Sequence, residues 1–163
     1  MRIVQFHNPG SPDLAPHKRM FEENNIEFAQ YSEFLSQKEQ LECCQGADAV
    51  ATSILKFPRE VIEKLPDSVK CIVRTAMGYE IIDVDACSER GILVCNVPDY
   101  AMEEVSMHQV ALIMALCRKL KHYDLFVHSG EWTRQSMIHG YECRRISSLT
   151  IGLLGLGRIA RNV

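Results

Sequence analysis

A chain of 163 residues has room for one domain with a sizeable core, or for one domain and part of a second. Hydrophobic residues make up 47% and charged residues 24%, an ordinary globular balance, and the formal net charge of −3 gives no basis for binding nucleic acid or an anionic membrane. The longest apolar run, VALIMALC at residues 110–117, is far too short to span a bilayer.

The N-terminus carries no signal-peptide anatomy. Arg2–His7 reads as a first strand, followed by the turn-forming stretch Asn8-Pro9-Gly10-Ser11-Pro12. A helix is expected over 15–24, ended by Asn24-Asn25, and a second strand over 26–31. Ser36 can cap a helix over 37–45 that Gly46 closes. A third strand follows at 49–54, and Pro58 suits the first position of a helix over 58–65. A fourth strand falls at 69–75, Asp83 caps a short helix ending at Gly91, and a fifth strand lies at 92–97. Five strands alternating with helices over about a hundred residues argue an α/β fold. The sheet should be parallel, doubly wound and covered on both faces.

Pro98 breaks the alternation and marks a boundary between residues 1–98 and 99–163. The longest helix is expected over 101–122, with Glu103 and Glu104 in its first turn and Arg118, Lys119, Lys121 and His122 in its last, both matched to the helix dipole. Its middle is apolar on nearly every face, so it should be buried between layers. A polar arm over 129–148 follows. Residues 149–154 then read as a buried strand, and Gly155-Leu156-Gly157-Arg158-Ile159-Ala160 fits the dinucleotide fingerprint G-x-G-x-x-G/A. Gly155 allows the tight turn, Gly157 lets backbone approach a pyrophosphate, and Ala160 lets the new helix pack on its strand. The acidic residue that would hold the ribose falls beyond Val163. An ordinary strand-turn-helix corner would look the same locally.

Seven cysteines without a C-x-x-C pair suit reduced, cytosolic thiols acting as small hydrophobes; Cys71 and Cys95 fall in expected strands and Cys117 in the long helix. Cys43-Cys44 is open to a redox or an incidental reading. Of six histidines, His7 ends a strand where open α/β sheets place ligands, and His108 lies early in the long helix. Neither has a carboxylate spaced to orient a general base, and His17, His122, His128 and His139 sit in polar surroundings. No cluster has zinc spacing and no G-x-S-x-G elbow occurs. Arg74-Thr75-Ala76-Met77-Gly78-Tyr79 lies just past the fourth strand, where small residues leave backbone N–H groups free for an anion and Gly78 permits positive φ. A plain strand-to-helix turn is the other reading.

These segments fall into one order. Arg74-Thr75-Ala76-Met77-Gly78-Tyr79-Glu80-Ile81-Ile82-Asp83 resembles the pattern R-x-G-x-G-x-D-N-I-D of the D-isomer-specific 2-hydroxyacid dehydrogenases. Gly91-Ile92-Leu93-Val94-Cys95-Asn96-Val97-Pro98 matches that family's G-I-x-V-x-N-x-P. Val105-Ser106-Met107-His108 with Arg118 is similar to its hinge helix, Gly130-Glu131-Trp132 to its arm, and residues 150–160 to its nucleotide fingerprint. The stretch Cys95-Asn96-Val97-Pro98-Asp99-Tyr100 with Glu103-Glu104 looks most like the C-terminal-binding-protein branch, with phosphoglycerate dehydrogenase-like relatives close.

The resemblance implies a flavodoxin-like substrate domain over 1–98, lacking its C-terminal return. The truncated start of a Rossmann NAD-binding domain would follow over 99–163. It implies that backbone N–H groups of Met77 and Gly78 hold the carboxylate of a small 2-hydroxy or 2-keto acid. Gly155, Gly157, Arg158 and Ile159 would cradle NAD, with NADP still open. It also implies a cytoplasmic enzyme that dimerises with its own kind. Ala76 replaces a usual glycine, Glu80-Ile81 replaces Asp-Asn, and Met107 replaces an acid. Thr52 stands where many relatives carry arginine, and Ala101 where others carry Asn or Ser. The catalytic arginine, glutamate and histidine of the family are expected beyond Val163, so the chain alone should be inactive. An NADH-sensing, corepressor-like binding module is the competing expectation. A free-standing receiver domain is disfavoured, because the third strand ends in Thr52-Ser53-Ile54 without a phosphorylatable aspartate. With its strand neighbours missing, the segment 149–163 should be disordered, poorly packed or covered by another chain.

Overall fold

The computed structural model describes residues 1–10, 15–130 and 143–163. The expected features at Ser11, Pro12, Glu131, Trp132, His139 and Gly140 lie outside them. The chain divides into two compact units, Met1–Tyr100 and Ala101–Val163.

In the first unit, strands β1 (Arg2–His7), β2 (Glu27–Ser32), β3 (Ala49–Thr52), β4 (Cys71–Arg74) and β5 (Leu93–Asn96) form one sheet in the order β2-β1-β3-β4-β5. Every pairing is parallel, with Ile3 beside Ala49, Thr52 beside Arg74 and Arg74 beside Asn96. Helices α1 (Ala15–Glu23), α2 (Gln37–Cys43), α3 (Arg59–Ile62) and α4 (Val84–Glu89) connect them. Alternation along the strands sorts the faces. Val4, Phe6, Val50, Thr52 and Ile72 are fully buried, together with Phe57, Val61, Ile62, Ala86 and Cys87 from the connecting segments. Each large apolar side chain buried there contributes roughly 1.5–3 kcal/mol. The intervening positions Ile3, Gln5, Ala49, Ala51, Cys71 and Val73 are only half-buried. On that face α1 sets Phe21 against Phe28 of β2, ring centroids 4.8 Å apart. Cys71 and Cys95 are therefore half-buried rather than core residues.

Local chemistry explains the helix starts. Ser36 and Glu39 form a reciprocal capping box on α2, and Asp83 accepts the Ala86 N–H at 2.8 Å to cap α4. Pro58 sits one residue earlier than expected, at the N-cap of α3 rather than inside its first turn.

The second unit departs from expectation in two places. The long helix is two helices, α5 (Met102–Cys117) and α6 (Leu120–His128). Lys119 between them is left-handed, with φ 52°. A non-glycine residue there costs on the order of 1 kcal/mol, and no glycine or proline in the sequence announces it. The helix is also not sandwiched. Met107, Leu112, Leu116 and Leu125 are exposed, and Ser106 is the one buried residue of the unit among those described. The expected strand over 149–154 does not form: no described strand pairs with it, and the backbone bends at Leu154. Leu153 and Leu154 are exposed, as an unpaired edge requires. A single 3-10 turn, Ile146–Ser148, precedes it, and a short helix α7 (Arg158–Asn162) follows. No helix among the described residues is long and apolar enough to cross a membrane.

Candidate functional site

The carboxyl ends of five parallel strands make one edge, where this class of sheet receives ligands. The turn after β4 is held there from both sides. Thr75 donates its N–H and its hydroxyl to the Thr52 carbonyl, at 2.9 and 3.1 Å. The Val97 N–H reaches the Ala76 carbonyl at 3.1 Å, and Asn96 Nδ2 donates to the Met77 carbonyl at 2.7 Å. Both turn carbonyls are thus engaged by the end of β5. The amides of Met77 and Gly78 donate to no acceptor among the described residues. A half-buried pair of free amides beside fixed carbonyls has the electrostatic form of an anion cradle. Just past the turn, the Phe57 N–H donates to the Ile81 carbonyl and the Asp83 N–H to the Phe57 carbonyl, at 2.8 and 3.0 Å.

Gly78 does not use the positive φ that glycine permits. An added Cβ would meet only the flexible end of Glu80, overlapping Oε2 and lying 3.2 and 3.3 Å from Cδ and Oε1. Glu80, which replaces the usual aspartate, folds its carboxylate back against the turn.

Two side chains at this edge had no role in the sequence reading. Arg74, at the end of β4, has Nε and Nη1 buried without an acceptor and joins no salt bridge among the described residues. It places an uncompensated cation next to the turn. Glu33 is 4% exposed and accepts the N–H groups of Ser53 and Ile54 on one oxygen, Oε1, at 2.6 and 2.7 Å. A buried-strand arginine and an acid directly after a strand were the available signals. Thr52, where many relatives carry arginine, is fully buried and donates its hydroxyl to the Leu55 carbonyl at 2.9 Å.

In the second unit, Gly155 is left-handed with φ 89°, as the tight turn requires. Gly157 is the N-cap of α7 and makes no side-chain cap bond, so the first amides of α7, at Arg158 and Ile159, have no intrahelical partner. A Cβ at either glycine would meet nothing within 4 Å. The turn and helix start therefore suit a pyrophosphate, although the expected strand leading into them does not form. Ala101 begins α5 without a side-chain cap bond. His7 is half-buried and His108 exposed, and His128 pairs with Asp124 of its own helix. No group of three metal-ligating side chains occurs among the described residues.

Every cysteine among the described residues is a free thiol, Cys43 and Cys44 included. Burial pushes Cys44 up to about 12 and Cys87 to about 11. Burial first, then the nearby Cys95, raises Cys71 to about 11. These are thiols at neutral pH, which argues against Cys43-Cys44 as a redox pair.

Fold and turn together define a class: an α/β protein whose parallel sheet carries a turn with two free backbone amides on its carboxyl edge, together with a separate glycine turn at the start of a helix. The chain belongs to the D-isomer-specific 2-hydroxyacid dehydrogenase family, whose catalytic-domain profile matches residues 11–152. It is 32% identical over 117 residues to hydroxypyruvate reductase of Blautia hydrogenotrophica, covering 71% of this chain and 36% of that protein. It is 32% identical over 149 residues to glyoxylate reductase of Pyrococcus furiosus, covering 87% of this chain and 43% of that protein. The fold matches an acyclic imino acid reductase in complex with NADPH and D-Arg, with TM-score 0.83 and 25% identity, over 99% of this chain and 51% of the other. The chain thus spans about half the length of that structure and less than half of the two curated relatives.

Proposed function

We propose that these residues form the N-terminal part of an NAD-dependent oxidoreductase that interconverts a D-2-hydroxy acid and its 2-keto acid. The carrying observation is the pair of unpartnered amides at Met77 and Gly78 on the carboxyl edge of the sheet. They hold the substrate carboxylate, and the Arg74 guanidinium adds positive charge beside them. The engaged carbonyls of Ala76 and Met77 keep the turn from reorganising when the anion arrives, which is what makes such a cradle effective. Gly155, Gly157, Arg158 and Ile159 hold the cofactor pyrophosphate through backbone amides. A nicotinamide cofactor bound there would supply the hydride chemistry. The proton on the substrate hydroxyl needs a base. Family membership supports placing that base, with its glutamate and a second arginine, outside these residues. The working enzyme is a cytoplasmic homodimer in this reading.

Titrating the isotope-labelled chain with glyoxylate tests the site. Saturable amide shifts should centre on Met77 and Gly78, and a chain silent there loses this assignment. NADH oxidation with glyoxylate should stay at background for the 163-residue chain. Turnover at enzyme-like rates would show that these residues contain the whole catalytic apparatus.

A further inference from the structure

We infer that Glu80 sets the charge that a ligand of the Met77–Gly78 turn can carry: its carboxylate opposes a second anionic group and accepts a neutral or cationic one. This deepens the reading of the turn as a carboxylate seat and rests on it.

Glu80 stands where the family pattern carries aspartate, and its extra methylene lets the carboxylate fold back toward Gly78. The carboxyl carbon lies 3.2 Å from the place a Cβ of residue 78 would take, with Oε1 at 3.3 Å. A Cβ stands about 2.5 Å from its own amide nitrogen, so the carboxyl carbon is within about 6 Å of the Gly78 nitrogen. That amide is one of the two free donors of the turn. A ligand carboxylate accepting it at about 2.9 Å therefore stays within about 9 Å of a like charge.

No direct pair cancels that charge. Glu80 forms no hydrogen bond or ion pair among the described residues. Arg59 lines the same surface groove but is engaged by Glu63, Asp83 and Glu89, at 3.8, 3.7 and 2.6 Å. Lys56 lines that groove too and makes no ion pair with Glu80. Arg74, the uncompensated cation beside the turn, makes none either. The Glu80 side chain is exposed, and a Coulomb field needs no fixed contact: it acts over about 10 Å at ordinary salt. At the dielectric constant of water, one charge at this range changes affinity roughly two- to threefold per ligand charge. A 2-hydroxy or 2-oxo acid whose remainder is uncharged, or ends in an ammonium or guanidinium group, bears only the small effect on its own carboxylate. A dicarboxylate or a phosphorylated acid bears it more than once.

Three ligands share one 2-hydroxy acid frame and differ in charge: glycolate, tartronate with a second carboxylate, and 3-amino-2-hydroxypropanoate with an ammonium group. Each is titrated into the labelled 163-residue chain and into Glu80→Gln, and the amide shifts of Met77 and Gly78 report binding. Glu80→Gln keeps the shape of the side chain, removes its charge and breaks no bond, so it should fold as the parent does. It should tighten glycolate roughly two- to threefold and tartronate roughly four- to tenfold, and leave the amino compound unchanged or weaker. Equal changes for all three ligands, or none, overturn the inference. The difference between the two chains should close as ionic strength rises from about 0.01 to about 1 M, where the Debye length falls from about 30 to about 3 Å. A difference that survives high salt is steric and overturns the inference as well. Silence at Met77 and Gly78 with every ligand in both chains defeats the carboxylate turn itself, and this inference with it. Saturable shifts of equal affinity in the two chains defeat the role of Glu80 alone.

Discussion

An added Cβ at Gly78 would run into the Glu80 carboxylate, the far end of an exposed and flexible side chain. Glu80 can swing away cheaply, so Gly78→Ala should alter unfolding free energy by no more than about 0.5 kcal/mol. The methyl group and the displaced carboxylate would still crowd the free amides of the turn. Glyoxylate-induced shifts at Met77 should therefore be lost while the urea midpoint is kept; a fully retained response would show that the amides lie clear of position 78. The thiols make a second case in which burial decides chemistry. The raised values of Cys44, Cys87 and Cys71 leave a negligible thiolate fraction at neutral pH. In native protein Cys44 and Cys87 should resist an aromatic disulfide reagent, and all seven cysteines should react in urea. Fast labelling of Cys44 in the native state would contradict its burial.

Secondary elements carry their stability in their ends as well as their faces. Ser36 donates its hydroxyl to Glu39 Oε2 at 2.6 Å and the Ser36 N–H does so at 2.8 Å, which holds the Glu39 carboxyl below its ordinary 4.5. A folded-state value below the unfolded one stabilises the protein above the unfolded value, and that contribution disappears as pH falls through the folded value. Urea midpoints should fall on acidification below 4.5. Ser36→Ala should lower the midpoint at neutral pH and flatten this acid limb; an equally steep limb would assign the acid sensitivity to other carboxyls. The same ends show what sequence can carry. Ser36 with Glu39 three residues on, and Asp83 before Val84, are local signals, and both caps form as read. The five strands were legible because apolar alternation is local too. The strand at 149–154 was not, because a strand exists only through a partner and the apolar run says nothing about one being present. The break at Lys119 left no mark, since Arg118-Lys119 contains neither glycine nor proline. Of the site, the glycine turn could be read from Ala76-Met77-Gly78, whereas Glu33 reaches Ser53 and Ile54 across about twenty residues of chain, and no local pattern encodes that.

At the scale of the molecule, the buried apolar core among the described residues is confined to the first unit, where every member lies between Val4 and Ile92. Cooperative unfolding rests on burial of that kind, so the main transition should report on Met1–Tyr100. Amide exchange gives the contrast directly: slow exchange is expected in β1, β3 and β4, and fast exchange across 149–157, where backbone donors have no ladder. Slow protection at Ile151 or Leu154 in a monomer would mean that the segment has found a strand partner. The same unpaired backbone, flanked by exposed Ile151, Leu153 and Leu154, is a template for pairing with another copy. Leu154 is fully exposed and contributes no burial to the fold. Leu154→Lys should therefore leave the unfolding midpoint in place, while the added charge opposes edge-to-edge association. Light scattering at rising protein concentration separates the two effects. A variant that aggregates as readily as the parent would move the sticky surface away from this edge, toward the exposed leucines Leu112, Leu116 and Leu125 of α5 and α6.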